Sequence, residues 1–285
     1  MSAGTLYAGT SSWSSKDWVG PFYPEGTKPG DYLRSYATRF DAVEADVTYY
    51  RIPDARMVDG WVRKTPPGFR LCAKFPRSIV HGGDGARPDP RTVLVPDVVA
   101  ADTERFLEVM GRMGERLGPL VLQFPYFNQG VFADRGPFLE RLDAYLGTLP
   151  DGFRYGVELR NKAWIDAELL ELLRGHGVAL VLVELAYMPH PASLARKLDL
   201  VTADFVYARL IGDRKAVDAA TETFDRIVLD RGEQLDRWAE LLRDLLPQVR
   251  EAYVFANNHY AGHGPATIRD LVARLEAGGA EAERA

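Results

Sequence analysis

Glu44 and Asp46, Lys74, Glu158 and Arg160, and Arg209 stand where short apolar runs give way to loops, setting three acids against three bases. A carboxyl in a semi-enclosed mouth is tuned upward by burial and downward by a nearby cation. Glu158, two residues before Arg160, is therefore the first candidate for proton transfer, with Glu44 as the second carboxylate. Lys74 suits protonation of a leaving group, stabilisation of an enolate, or the holding of an anion; a Schiff base is disfavoured because neighbouring acids keep the amine charged. Arg160 and Arg209 carry planar forks that match phosphate or carboxylate. The chemistry these residues support is acid–base catalysis, of hydrolase or lyase type, on a small polar ligand of sugar, nucleotide or phosphate character.

Such residues act together only if the fold turns them to one place. Along a strand alternate side chains share a face, so Glu44, Asp46 and Thr48 point one way while Val43, Ala45 and Val47 point the other. The apolar set must meet helices, which turns the acids inward. The same parity directs Lys74 with Cys72, Glu158 and Arg160 with Gly156, Arg209 with Tyr207, and Gln123 and Asn257 toward a common axis. An internal salt-bridge network is the structural alternative, since a buried charge left alone is costly. Position at the loop-bearing end favours a site.

Eight strand candidates carry these residues: Leu6 to Thr10, Ala42 to Tyr49, Phe69 to Lys74, Leu120 to Phe124, Arg154 to Leu159, Ala179 to Val183, Val206 to Leu210 and Ala252 to Ala256. Between them run helical stripes: Phe106, Met110, Met113 and Leu117; Leu139, Leu142 and Leu146; Leu235, Trp238, Leu242 and Leu245; and Ile268, Leu271 and Leu275. Eight β-α alternations are most economically used as an α/β fold of the TIM type, a closed (β/α)8 parallel barrel inside a helical ring. Residues 1–276 are expected to form a single domain, and residues 277–285 a frayed tail. The long connections from Ser11 to Lys28, Phe75 to Ala101 and Ile211 to Arg231 all follow strands, so they crown the C-terminal face.

With the strand ends in view, the chain resembles the YecE-like family, also called domain of unknown function 72. The resemblance rests on Gly9-Thr10-Ser11-Ser12-Trp13 with Trp18 and Phe22-Tyr23-Pro24, and on Val43-Glu44 leading to Thr48-Tyr49-Tyr50-Arg51-Ile52-Pro53. It continues through Trp61 with Thr65-Pro66, Phe69 to Lys74, Leu117-Gly118-Pro119-Leu120, and Gln123-Phe124-Pro125. Val157-Glu158-Leu159-Arg160-Asn161 with Trp164, Tyr207-Ala208-Arg209, and Asn257-Asn258 with Gly262 complete it. The resemblance implies a parallel β/α barrel with a common site at the strand ends and no transferable activity. Asp46-Val47 stands where Asn-Ser is common in the family, and Ile211 where a histidine often follows the arginine strand, so no mechanism here relies on an imidazole at that point.

The loops add further candidates. Asn257-Asn258 leads through Gly262, His263 and Gly264 to Pro265, a helix start whose amides could meet a phosphate; an ordinary cap is the equal alternative. Trp13, Tyr49 and Trp164 are placed to stack on a ligand, whereas Trp18 and Trp61 read as packing. Glu44, Asp46, Glu158 and His259 are metal ligands by type. Three cations in the same mouth already neutralise the acids, so a divalent metal is not favoured and no cofactor is expected.

The 285-residue chain is 46% hydrophobic and 26% charged, enough to bury a full core. A net charge of −5 argues against the broad basic face that duplex nucleic acid or anionic lipid favours. Nucleic acid is therefore not the favoured partner. The alternative function is a non-catalytic binding module, which could grip single-stranded nucleic acid through Arg77, Arg87, Arg91, Arg214 and Lys215, or an interaction scaffold. The lone Cys72 fits a buried strand position in a reducing compartment. With no leader-like N-terminal pattern and no apolar run beyond Val178 to Val183, the expected location is cytoplasmic, with no membrane partner. The oligomeric state is not encoded in these features.

Overall fold

The computed structural model describes residues 4–83, 85 and 87–282. Its strands are β1 (Thr5–Ser11), β2 (Ala42–Ala45), β3 (Arg70–Lys74), β4 (Leu117–Gln123), β5 (Tyr155–Glu158), β6 (Ala179–Leu185), β7 (Phe205–Gly212) and β8 (Glu251–Ala256). Each pairs in parallel with the next and β8 closes on β1, giving the (β/α)8 barrel. The helices, in chain order, are α1 (Tyr32–Tyr36), α2 (Ala55–Lys64), α3 (Arg77–Val80), α4 (Pro96–Gly111) and α5 (Gly136–Leu146). They continue with α6 (Ala167–Gly175), α7 (Pro191–Ala195), α8 (Arg214–Ala220), α9 (Gly232–Leu245) and α10 (Gly264–Ala282).

Strand alternation separates two apolar layers. Val43, Ala45, Leu71, Leu122, Val157, Leu182, Ala208 and Val254 face outward beneath the helices. Ala42, Cys72, Val121, Val181, Tyr207, Tyr253 and Phe255 fill the lumen. Trp238 and Leu242 of α9 are fully buried against the outer layer, each such side chain contributing about 1.5–3 kcal/mol on burial. Tyr36 ties α1 to the wall: its hydroxyl accepts from Thr10 N at 2.7 Å and donates to Ala42 O at 3.0 Å. Gly9 leaves room for it, since a Cβ there would lie 2.7 Å from the Tyr36 hydroxyl and 2.0 Å from Ala42 O.

At its N-terminal end the lumen is plugged. Arg154 pairs with Glu251, which also accepts from the Tyr253 hydroxyl at 2.6 Å. Tyr7 stacks on Tyr253 at 5.2 Å, and the Arg70 guanidinium lies 5.1 Å over Tyr7. The connections after β1, β3 and β7 gather at the opposite face.

Three expected boundaries move. β2 ends at Ala45 rather than running to Tyr49, and Asp46–Tyr49 forms a 3-10 turn. The buried Thr48 hydroxyl fixes that turn by donating to Ala45 O at 3.0 Å and accepting from Lys74 N at 2.9 Å. The stripe through Leu117 breaks where α4 stops at Gly111: Gly114 takes φ 56° and Leu117 already opens β4. The expected change at 277 is not found either, because α10 continues to Ala282. There Gly278 allows close approach to α9, a Cβ on it falling 2.5 Å from Arg243 Cζ; residues 283–285 lie outside the described residues. Among the described residues no helix is long and apolar enough to cross a membrane.

Candidate functional site

Four of the six charged residues converge in one buried network at the C-terminal end of the lumen. Arg209, on β7, is 2% exposed, and Glu44 on β2 and Glu158 on β5 are fully buried. The Arg209 guanidinium bridges the two acids, donating through Nη2 to Glu44 Oε1 at 2.7 Å and through Nη1 to Glu158 Oε2 at 2.5 Å. Nη1 also donates to Gln123 Oε1 at 2.8 Å. The other Glu44 oxygen accepts from the Tyr207 hydroxyl at 2.7 Å. Lys74 Nζ lies 3.4 Å from Glu44 Oε1. Inward parity brings these groups together, because parallel strands in register lift equivalent side chains to one level of the axis.

Asp46 and Arg160 cap the network toward the loops. Asp46 pairs with Lys74 Nζ, and its carboxylate is 3.9 Å from Arg209 Nη2. It reaches the site from the 3-10 turn and not by strand alternation. Arg160 donates from Nε and Nη2 to Glu158 Oε1 at 2.7 and 2.6 Å, and Tyr187 is among the neighbours that favour its charged form. The Asp46 and Arg160 side chains are 30% and 20% exposed. The mouth thus has an ionised floor and an accessible rim.

Burial alone would raise the Glu44 carboxyl, but the charges of Arg209 and Lys74, with hydrogen bonds from Tyr207 and Arg209, outweigh it and hold the pKa at about 2. Glu158 is likewise lowered: burial opposes ionisation, and Arg209 and Arg160 overcome it. Of the two opposing influences expected on Glu158, burial and the neighbouring cation, the cations prevail, and neither acid has the raised pKa of a carboxyl that donates a proton near neutral pH. Cys72, beneath Glu44, is pushed well above its usual range by burial and by that carboxylate's charge. Its side chain is buried among those that fill the lumen.

Other candidates fall at different distances from this centre. Tyr49 reaches the rim, where its hydroxyl meets His81 Nε2 at 2.9 Å; burial raises its pKa, and Arg160 is the strongest charge opposing that rise. Trp13 instead packs edge-on against Trp61 at 5.8 Å. Trp164 stacks on Phe138 at 5.2 Å and on Phe127 at 6.0 Å, so its face is used within the loop cluster. Asn257 Oδ1 accepts from His259 N at 2.9 Å. Asn258 Oδ1 accepts from Trp18 Nε1 and Gly264 N, fastening the first loop to α10.

The start of α10 does not hold out amides for phosphate. Gly264 N donates to Asn258, Ala266 N to His263 Nδ1 at 3.3 Å, and Pro265 has no N–H. Gly262, with φ 110° and Arg226 O 2.6 Å from where a Cβ would sit, serves a close backbone approach. The Gly262-His263-Gly264 segment is therefore an internal cap. His259 turns away from the acids to Asp218, at 3.1 Å. Among the described residues no three His, Cys, Asp or Glu side chains converge on a metal position.

The basic residues weighed for nucleic acid are divided between the segment after β3 and α8, and Arg91 and Arg214 pair with Asp89 and Asp218. Site neighbours not singled out from the sequence are Tyr207, Thr48, His81 and Tyr187. Tyr207 shares the inward parity of Arg209 and was legible on that ground. Thr48 was turned inward by the same period although it sits in the 3-10 turn after β2, and His81 and Tyr187 lie in bends and turns, where no period marks them.

Fold and site together define a parallel β/α barrel with a charge-balanced, buried ionic cluster at its C-terminal mouth. The chain belongs to the family described as protein of unknown function DUF72, whose model matches residues 7–285. It is 32% identical to the UPF0759 protein YecE of Escherichia coli K12 over 156 residues, 55% of this chain and 48% of that protein. The chain spans about half the length of the curated relatives it matches. A DUF72 family protein of Thermotoga maritima is 29% identical in crystal structure, with a TM-score of 0.74 over 95% of this chain and 99% of that one. A D-psicose 3-epimerase of Clostridium cellulolyticum shares the barrel alone: 12% identity, TM-score 0.53, 95% and 96% coverage.

Proposed function

We propose that the mouth is the active site of an acid–base enzyme, of hydrolase or lyase type, acting on a small, polar, negatively charged ligand. The observation that carries this reading is the position of Lys74 Nζ, between Glu44 Oε1 at 3.4 Å and the partly exposed Asp46. In this reading Lys74 gives a proton to the leaving group or developing oxyanion, and the Asp46 carboxylate, hydrogen-bonded to it, takes a proton from the attacking water or from the substrate and passes it to the lysine. Arg160 holds the ligand's negative charge. Glu44 and Glu158 remain ionised and keep Arg209 and Lys74 in position, so their part is electrostatic. This assignment moves proton transfer from Glu158 and Glu44 to the Lys74–Asp46 pair, because both glutamates are committed to Arg209.

A thermal-shift screen of sugar phosphates, sugar acids and nucleotides tests the reading first, since a ligand of the folded form raises its apparent stability. With a stabilising compound as substrate, Lys74→Gln is expected to lower kcat by about 10²–10⁴. Turnover that persists in folded Lys74→Gln protein overturns the assignment. Binding of a single-stranded oligonucleotide that falls steeply with salt and is indifferent to Lys74→Gln would instead support a binding module.

A further inference from the structure

Another cavity lies between the ends of β6 and β7, the loops that follow them, and the start of α9. Glu184 on β6 alternates with the inward-facing Val183 and Leu185, so its carboxylate points outward, beneath α9. There it lines a cavity of about 580 Å³ with His190, Gln234, Arg231 and Arg237. Glu184 Oε2 accepts from the Trp238 indole N–H at 2.5 Å and from the Tyr260 hydroxyl at 2.9 Å. Its pKa is raised by burial.

The donors around this cavity are underused. His190 Nδ1 accepts from Ala192 N at 3.1 Å, capping α7, and that bond fixes the tautomer with the hydrogen on Nε2. The His190 side chain is 8% exposed, and Nε2 has no hydrogen-bond partner, standing 3.6 Å from Glu184 Oε2. Burial, with the charge of Arg237, lowers this imidazole to about 4, so it stays neutral at ordinary pH and offers one N–H.

Arg231 spends Nε on Tyr260 O at 3.1 Å, and Arg237 spends one Nη2 contact on Ser193 Oγ at 3.0 Å. Among the described residues neither guanidinium has a carboxylate within 4.0 Å. The acids at the rim have other work: Asp213 caps the Lys215 and Ala216 amides, and Asp230 accepts from Gly232 N. Two partly committed arginines and an unpaired, buried imidazole N–H thus face one cavity.

We propose that this cavity is a second ligand pocket, separate from the mouth, for a small phosphate- or carboxylate-bearing molecule that also carries a hydroxyl group. Arg231, Arg237 and His190 Nε2 receive the anionic oxygens, and the remaining Glu184 oxygen accepts from the hydroxyl. This pocket shares no lining residue with the Lys74 cluster, so the two are expected to fill independently.

Calorimetric titration of the full chain with inorganic phosphate, glycerol 3-phosphate and malate tests the proposal and separates phosphate from carboxylate. Saturable binding of glycerol 3-phosphate or malate at millimolar concentrations is expected, with inorganic phosphate weaker for want of the hydroxyl. Arg237→Gln should weaken binding about tenfold. Ala216→Trp, which fills the cavity without changing charge, should abolish it, and Lys74→Gln should leave it unchanged. The proposal is overturned if none of the three probes saturates. It also fails if binding survives both Arg237→Gln and Ala216→Trp, or is removed by Lys74→Gln.

Discussion

At the scale of single residues, the mouth is governed by Arg209, which bridges two buried carboxylates whose second charge is balanced by Lys74 and Arg160. Removing one partner of a buried ion pair is costlier than never having had the pair, because the remaining charge is left without solvent or counter-charge. Glu44→Gln leaves Arg209 and Lys74 underneutralised and is expected to destabilise the fold by about 3–5 kcal/mol, read from urea unfolding. A loss below about 1 kcal/mol would show the cluster to be loosely coupled. Period-2 parity alone brought Glu44, Lys74, Gln123, Glu158 and Arg209 to one level, because strands in a parallel barrel leave little freedom in side-chain direction. The same rule reached Asp46 for the wrong reason, as the chain has left the strand there. It had nothing to say about Trp164 or His263, whose roles depend on loop partners distant in sequence.

At the scale of elements, the barrel shows which signals in a sequence are robust. All eight strands overlap the short apolar runs read from the sequence, and the stripes on α5, α9 and α10 match helices. The failures are at ends. Thr48 converts the end of a strand into a turn, and Gly114 interrupts a stripe that otherwise reads as continuous helix. Such local hydrogen bonds and positive φ angles are invisible to periodicity. The tie between α1 and the β1–β2 seam is a comparable local device, and it can be tested alone. Tyr36→Phe leaves the buried Thr10 amide without its acceptor and should cost about 1–3 kcal/mol, with hydrogen exchange at Thr10 accelerating along with the global loss. Unchanged stability would mean that another acceptor replaces the hydroxyl.

At the scale of the whole molecule, the buried carboxylates link folding to pH. Glu44 has a folded pKa of about 2, below its ordinary value near 4.5, and Glu158 is shifted in the same direction. Between these limits the unfolded chain binds more protons than the native one. The stabilisation is therefore complete above about pH 4.5 and lost as the pH falls toward 2. The melting temperature should drop steeply through that window, and in Glu44→Gln protein the drop should be shallower; equal slopes would place the acid sensitivity elsewhere. The far end of the barrel has a different consequence. With Arg154, Glu251 and the stacked tyrosines sealing it and side chains filling the lumen above, no passage crosses the barrel among the described residues, and on the proposed function a ligand leaves the mouth by the face through which it came. If the mouth turns over a ligand as proposed, starting compound and spent compound exclude each other there, and an accumulating product should compete directly with its own precursor for entry.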